Sequence, residues 1–536
     1  MQENATNGVE VHTTSVLVVG AGPAGLVTAI GLARQGVPVM LVERQAQVST
    51  FPRATAVSPR SMEIIREWGL EDRVREREFD ALPLGRVAPT LVSPEGMTVP
   101  LGFPADDEAR RVSPTSYAVV AQDAFEPVLL EHLTRLRAEV RFGTEIVAIQ
   151  QDGTGVMSTL RNSSGRRMAV RSRFLVGADG SRSAVRSMLG VEMIGPDHLE
   201  ELVSVLFRAP LRSHVGSGVH GLNMIPGSAG LTVMLPTSDD DRWVLAQTWD
   251  PRTERIEDFT GDRVTAMIRA ASGVSGLPVE ILSIGAFSFA AQVADRYRVG
   301  NAFLVGDAAH RITPRGGTGM NTAIQDAHNL AWKLDFVLRG WAADDLLDTY
   351  AAERRPVGAQ NAARSETPTS PDLDALAIDI GITYQSGALA DDGCPDGPAE
   401  DSWRPTGRPG ARLPHLWLTR DGEQVSTLDL LGPGITVFTG PDGRCWRRAA
   451  DLVSAELGVS VAVRVVGGAV LHDPAREFTT LYGLAADGAV VVRPDGHIAW
   501  RSQSADGLDL AQALRLGIRA SLGASSSAVS DERGVA

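Results

Sequence analysis

The 536-residue chain is poor in several things at once: its 51 basic residues include a single lysine, Lys333, it has only two cysteines, Cys394 and Cys445, and it contains no long apolar run. Each shortage excludes chemistry. A phosphate-cradling P-loop ends in Gly-Lys-Ser/Thr, whereas the one lysine lies in Asn-Leu-Ala-Trp-Lys-Leu, a helical context, so kinases and P-loop ATPases are out. A Schiff-base enzyme would have to use Lys333 itself. The cysteines are too far apart for a CxxC redox pair or a zinc cage, and with no HExxH pattern no metal centre is expected. A net charge of −14 denies the broad basic face that nucleic acid requires. No segment approaches the roughly 20 apolar residues that span a bilayer, and Met1 to Thr14 lacks the basic-then-apolar order of a signal peptide. The expectation is a reduced, cytoplasmic protein with neither nucleic acid nor membrane as partner.

What is present suits a large globular chain. With 43% hydrophobic residues, and at roughly 150 residues per domain, about two to four domains are expected. Ser15 to Gly20 is a short β-branched run, followed by Ala-Gly-Pro-Ala-Gly, an apolar helical stretch to about Gln35 and a second strand, Val37 to Val42: a βαβ unit. Pro59 sits just inside a helix that begins at Ser58 and stops at Gly69. From Leu202 to Trp249, strand-like segments separated by Gly, Pro and Asp predict a meandering sheet. Asn301 to Val305 reads as a buried strand, followed by a glycine-rich loop and a long helix from about Gly319 to Leu338. Pro368 to Pro405 has a linker's composition, and alternating strands and helices beyond it predict a separate small α/β domain.

The fold class is α/β: a Rossmann-like domain over 1–190 and 280–370, a β-sheet substrate domain over 191–279 that can include 76–110, a linker over 371–405, a thioredoxin-like domain over 406–524, and a disordered tail over 525–536. The tail reads as disordered because it is small and polar.

Gly20-Ala-Gly22-Pro23-Ala24-Gly25 follows a strand and opens a helix. In that context the first glycine allows the tight turn, the second lets backbone approach a pyrophosphate, and the third lets helix and strand pack closely. Glu43, eighteen residues past Gly25 at the end of the second strand, is placed to accept hydrogen bonds from a ribose diol, with Arg44 beside it. A second GxGxxG, Gly216-Gly218-Gly221, lies between sheet strands with no helix after it and is assigned to loops. The first motif does not distinguish NAD from FAD.

Two later motifs do. Phe174 to Arg186 reads FLVGADGSRSAVR, and Asn301 to Asn321 reads NAFLVGDAAHRITPRGGTGMN. With these the sequence resembles the group A FAD-dependent aromatic monooxygenases, the family of p-hydroxybenzoate and phenol hydroxylases, and within it the aromatic polyketide hydroxylases. The resemblance spans about residues 14 to 365. AVVVRPDGHIAWR also resembles the thioredoxin-like C-terminal domain of the phenol and polyketide hydroxylase branch, although this chain has no CxxC there.

The resemblance implies FAD as cofactor and NADPH or NADH as a transient co-substrate, since no second strand-GxGxxG-helix unit exists. It assigns Asp179 to the family's DG motif, with Arg182 and Arg186 as local cations, and places Gln122 and Arg53 beside the flavin. Asp307, ending a buried strand, can hold the ribityl hydroxyls. Gly316, Gly317 and Gly319 let backbone pass close to a flat ring, and the N–H groups of Gly319, Met320 and Asn321 can stabilise negative charge on the flavin edge. Pro314 aligns with a proline whose carbonyl lies near substrate. Lys333, at the other end of that helix, suits the negative end of its dipole.

The reaction implied is transfer of the distal oxygen of a flavin C4a-hydroperoxide to an electron-rich ring. No catalytic side chain is assigned. His220, Asn223 and Gln247 are candidate substrate contacts on the meandering sheet, whose alternation cannot be phased from sequence. The tyrosine and aspartate of phenol hydroxylases have no match, so a small aromatic of the multi-ring polyketide type is expected as substrate together with O2. A Baeyer–Villiger oxygenase and a non-enzymatic flavin-binding scaffold are the alternatives. Cys445 is expected to serve packing and, by resemblance, a homodimer contact.

Overall fold

Val16, Leu17, Val18 and Val19 are all buried, and a strand closed on both faces belongs inside a parallel sheet. In the computed structural model, which describes residues 11–216, 218–227, 230–367, 375–390 and 406–523, Val11–Val19 pairs in parallel with Val39–Val42 on one side and Arg167–Gly177 on the other. The helix Pro23–Arg34 makes the crossover, with Pro23 at its first turn. It lies against the long helix Gly319–Leu338 so closely that a Cβ on Gly31 would sit 2.8 Å from the Cβ of Ala331. The sheet continues to Glu139–Arg141 on one edge and through Ala302–Leu304 to Arg298–Val299 on the other, and the hairpin Thr144–Gln151/Val156–Asn162 attaches to Arg167–Gly177.

A second sheet of seven strands runs in the order Glu280–Phe289, Glu200–Arg208, Arg242–Thr248, Gly230–Pro236, His220–Gly227, Leu82–Val87, Met97–Pro100. One expectation changes here. Glu280–Phe289, expected with the FAD-binding part, is an edge strand of this sheet, paired along Glu200–Arg208. Leu82–Val87 and Met97–Pro100 join the same sheet from far upstream.

The C-terminal part is a βαβ unit, Ile435–Thr439, Cys445–Leu457 and Val461–Val465, followed by the hairpin Ala489–Val492/Ile498–Ser502 and the helix Leu510–Ser521. That succession is thioredoxin-like. Cys445 is exposed at the start of its helix.

The expected linker 371–405 is not a plain tether. Residues 368–374 and 391–405 lie outside the described residues, as do Cys394 and the 525–536 tail. Over 375–390, however, Leu376, Ile380, Tyr384 and Ala388 are buried, and the Tyr384 ring stacks on His497 at 4.1 Å. A stretch read from its Pro, Asp, Gly and Ser as a linker thus holds four apolar anchors.

Candidate active site

The three motif glycines are required for three different reasons. Gly20 has φ +110°, and a Cβ there would lie 2.3 Å from the Ala178 carbonyl oxygen; on Gly25 it would lie 1.9 Å from the Gly20 oxygen. On Gly22 it would meet nothing within 4 Å. The outer glycines are therefore held against protein backbone, and the middle one borders open space in front of the helix N-terminus, where a pyrophosphate fits. Glu43 closes the loop from the side: Oε2 accepts the Ala21 N–H at 2.9 Å and Oε1 the Gln45 N–H at 2.8 Å. Each oxygen keeps a lone pair for a ribose hydroxyl. Arg44 and Arg53 are exposed.

Gln122 begins the helix Gln122–Arg135 and is buried, donating to Glu126 at 2.7 Å. Burial raises the Glu126 carboxyl above its ordinary range, although Gln122, the Ser49 N–H and Arg53 oppose the rise. Asp179 behaves as a helix cap: its Oδ2 accepts the Val185 N–H at 3.0 Å, and Oδ1 takes the Ser183 hydroxyl. Next to it, Arg186 donates to the Ala308 carbonyl at 3.1 Å, tying the DG loop to the GDA loop. Asp307, within Gly306–Ala308, is exposed at the end of the buried strand Ala302–Leu304, and its carboxylate has no hydrogen-bond partner among the described residues.

Sequence reasoning missed what holds that loop. Buried Asp326 accepts the Gly306 N–H at 3.3 Å and His310 Nε2 at 2.8 Å on one oxygen, and Arg354 Nε at 2.7 Å on the other. Its only sequence signal is a carboxylate in the first half of the long helix, at a buried position.

The loop 314–318 leads into Gly319–Leu338. Gly316 and Gly317 have φ +81° and +63°, and a Cβ on Gly317 would press on the Phe103 ring at 3.2 Å. Thr318 provides no side-chain cap, so the first N–H groups of the long helix, at Gly319, Met320 and Asn321, face no acceptor among the described residues. Asn321 uses its side chain inside the protein: Oδ1 accepts the Ser58 N–H at 2.8 Å, and Nδ2 donates to Ala56 O at 3.3 Å and Gly317 O at 3.2 Å. The Pro314 carbonyl, expected to face substrate, accepts the Gly317 N–H at 3.1 Å in a tight turn.

The register phases the seven-stranded sheet. Glu200 pairs with Arg315 of the glycine loop, and Arg242 with Asp123 beside Gln122 at 2.7 Å, so the even-numbered side chains of those two strands turn toward the glycine loops. Between these pairs lie Leu202, Ser204, Leu206, Val244 and Ala246, with Val233 opposite Ala246. The odd side chains Val203, Val205, Trp243 and Leu245 form a core with Val264 and Ile268 of Gly261–Ser272. Two of the three sequence candidates, Asn223 and Gln247, fall on this second face, while His220 reaches the edge strand Met97–Pro100. Gln247 accepts the Thr232 hydroxyl at 3.1 Å, Asn223 donates to His220 O at 3.1 Å and Met234 O at 3.2 Å, and His220 contacts Thr98 at 3.1 Å. One residue of phase separates Asn223 and Gln247 from the expected position.

Comparison with known families agrees with this geometry. Residues 13–365 match the family described as FAD binding domain, and residues 406–524 the one described as aromatic-ring hydroxylase, C-terminal. The chain belongs to the FAD-dependent aromatic-ring hydroxylases. The hydroxylase is similar to tetracenomycin A2 monooxygenase-dioxygenase of Streptomyces glaucescens, 37% identical over 524 residues that cover 91% of this chain and 93% of that one. It is equally similar to 4-methyl-5-nitrocatechol 5-monooxygenase of a Burkholderia species, 37% identical over 514 residues covering 91% and 94%. Among solved structures, aklavinone-11 hydroxylase in ternary complex with FAD and aklavinone has a TM-score of 0.88 at 38% identity, covering 95% of this chain and 99% of that chain.

The hydroxylase is thus an FAD-dependent monooxygenase of the kind that takes its electrons from NAD(P)H. Its residues fit the cofactor: open space at Gly22, an unpartnered carboxylate at Asp307 and an uncapped helix N-terminus at Gly319. No helix among the described residues is long and apolar enough to cross a membrane.

Lys333 of the hydroxylase takes no part in that site. It is fully buried and bonds Glu353 at 2.7 Å, and Arg493 of the C-terminal domain grips the same carboxylate at 2.6 and 2.8 Å. Burial lowers the Lys333 amine to about 8, despite the adjacent carboxylate.

Proposed function

We propose that this hydroxylase places one oxygen atom of O2 on the ring of a multi-ring phenolic compound of the polyketide type, held between the even-numbered face of the seven-stranded sheet and the loop 314–321. The observation that carries the substrate class is that face. Leu202, Ser204, Leu206, Val244 and Ala246 are buried, small or apolar, and carry no charge; the ion pairs Glu200–Arg315 and Arg242–Asp123 stand at its rim. A flat fused-ring molecule suits such a floor, which excludes water and leaves orientation to the few polar groups at its edge. The tetracenomycin and aklavinone enzymes, by name, act on compounds of this kind.

In this reading Gly20, Gly22, Pro23, Ala24 and Gly25 present backbone and helix dipole to the pyrophosphate, while Glu43 and Arg44 take the ribose end. Asp307 accepts from ribityl hydroxyls. Arg53, Gln122 and Asp179 border the ring system, Gly317 lets it approach, and the N–H groups of Gly319, Met320 and Asn321 stabilise negative charge on its edge, an effect worth about 0.3–2 kcal/mol. Bound FAD supplies the electron store and the activation of O2. The protein's own work is binding, orientation and exclusion of water. Pro314 is kept near substrate, its carbonyl holding the Gly317 N–H and keeping a second lone pair.

The test is turnover of tricyclic and tetracyclic phenols with 18O2 and either NADPH or NADH, read by mass spectrometry. One 18O in a new ring hydroxyl is expected. Label in an ester oxygen would make the enzyme a Baeyer–Villiger oxygenase, and turnover of nitrocatechols only would replace the multi-ring substrate by a single ring.

A further inference from the structure

The segment 375–390 crosses from the FAD-binding part to the C-terminal domain and brings a carboxylate with it. Asp379 is half-buried as a residue, but its carboxylate turns inward onto the helix Pro59–Glu67. It accepts the Ser58 hydroxyl at 2.7 Å, the Arg60 N–H at 2.8 Å and Gln325 Nε2 at 2.9 Å. A carboxylate at a helix start, taking an N–H from its first turn, is a cap supplied from elsewhere in the chain. The same Ser58 gives its backbone N–H to Asn321 Oδ1 at 2.8 Å, and Asn321 Nδ2 holds Gly317 O at 3.2 Å. Four residues thus form one hydrogen-bonded line, Asp379–Ser58–Asn321–Gly317, from the connecting segment to the glycine loop.

We propose that Asp379 is a positioning residue for the flavin-facing end of the long helix: by fixing Ser58 and Gln325 it sets Asn321 and the loop before it, so that this half of the site is completed only when the segment 375–384 is docked. The proposal rests on the assignment of the Gly319–Leu338 N-terminus to the flavin edge.

The surroundings make the carboxylate's charge state matter. It borders a small cavity also lined by Arg60, His328, Tyr384, Arg412, Asp495 and His497. Burial raises the Asp379 carboxyl to about 6, with Glu63 pushing the same way and Ser58 and the Arg60 N–H and guanidinium resisting. An ionised Asp379 accepts all three hydrogen bonds. A protonated one loses the charge that strengthens these bonds and carries a hydroxyl that can only donate to Ser58, so the bonds to Arg60 and Gln325 weaken and the one to Ser58 reverses or breaks. The line should therefore loosen as pH falls through about 6, the value at which the carboxyl gains its proton.

The experiment uses the full chain as Asp379→Asn, Asp379→Ala and Ser58→Ala, with two readouts. Hydrogen exchange in the apoprotein at 56–62 and 317–324 is followed from pH 5 to 8 and corrected for intrinsic rates. The visible spectrum of bound FAD is followed over the same range. In wild-type protein both should change together near pH 6. In Asp379→Ala, exchange at both segments should be at least roughly tenfold faster, since all three hydrogen bonds to the carboxylate are lost, with no step near pH 6. Asp379→Asn should fold, lose the step and keep part of the protection, and Ser58→Ala should loosen 317–324 with Asp379 intact. Unchanged exchange at 317–324 in Asp379→Ala, or a pH step that persists in Asp379→Asn, would overturn the proposal. Faster exchange with an unaltered flavin spectrum would support the hydrogen-bonded line and overturn the flavin assignment beneath it.

Discussion

Arg412 of the C-terminal domain clasps Glu63 of the FAD-binding part with two nitrogens, Nε to Oε2 at 2.9 Å and Nη2 to Oε1, and the two side chains are 3% and 2% exposed. Arg60 Nη1 at 2.7 Å and the Ser113 hydroxyl at 2.7 Å complete the shell of donors. Against the cost of burial these partners lower the Glu63 carboxyl from 4.5 to about 2. The folded chain therefore binds that proton less tightly than the unfolded chain, so the stabilisation is complete above pH 4.5 and is lost as pH falls toward 2. Glu63→Gln is expected to cost about 3–5 kcal/mol at neutral pH, because it leaves two buried guanidinium groups without their carboxylate. Urea unfolding of both proteins across pH checks this: the difference should shrink below pH 4.5, and a constant difference would refute the coupling.

Gly22 and Gly25 should fail in different ways. Gly22 has extended backbone and open space beside it, so Gly22→Asp is expected to fold and to exclude FAD by occupying the pyrophosphate position with a negative charge. Hydroxylation and NAD(P)H oxidation disappear together. Gly25→Ala forces a Cβ to 1.9 Å from a carbonyl oxygen, so the strand and helix must part and soluble protein should fall sharply. Circular dichroism and flavin content separate the two outcomes; retained flavin in Gly22→Asp would refute the placement.

The even face of the sheet makes a further pair of expectations. Ala246→Phe fills space between the sheet and the glycine loop and should raise KM for a multi-ring substrate by more than tenfold, about the 1–3 kcal/mol of a badly fitted aromatic, without reducing FAD content. Gln247→Ala, one residue on, faces the core beside Thr232 and should leave KM unchanged. Steady-state kinetics on purified holoenzyme decides between them.

The parts of this molecule that depend on local pattern were legible in its sequence. The βαβ unit, the helix capped by Ser58 and the long helix Gly319–Leu338 all follow from short-range rules, because capping residues, glycines and apolar period lie within one element. Phase and long-range pairing were not. Asn223 and Gln247 looked like substrate contacts because a strand's two faces differ by one residue, and only the partners Arg315 and Asp123, far away in sequence, reveal which face is which. The docked segment 375–390 was missed for a similar reason: Asp379 and Tyr384 acquire meaning only from residues more than a hundred positions away, Ser58 and His497.

Lys333 is the residue whose rarity invites a chemical role, and its surroundings argue for a structural one. Glu353 receives Lys333 at 2.7 Å, but also Arg493 through both nitrogens, Asn329 at 2.7 Å and Ser386 at 2.7 Å. Replacing the lysine by methionine leaves this carboxylate with a bidentate guanidinium and removes a buried amine whose pKa is already lowered to about 8. Lys333→Met should therefore cost no more than about 1–2 kcal/mol, whereas Glu353→Gln, which leaves two cations buried against a neutral amide, should cost about 3–5 kcal/mol. Both changes lie in the joint between the long helix and the C-terminal domain, away from the glycine loops. Lys333→Met is expected to keep its flavin spectrum and its ring-hydroxylating activity. Loss of oxygenation in a folded, FAD-replete Lys333→Met protein would show instead that the single lysine takes part in the chemistry.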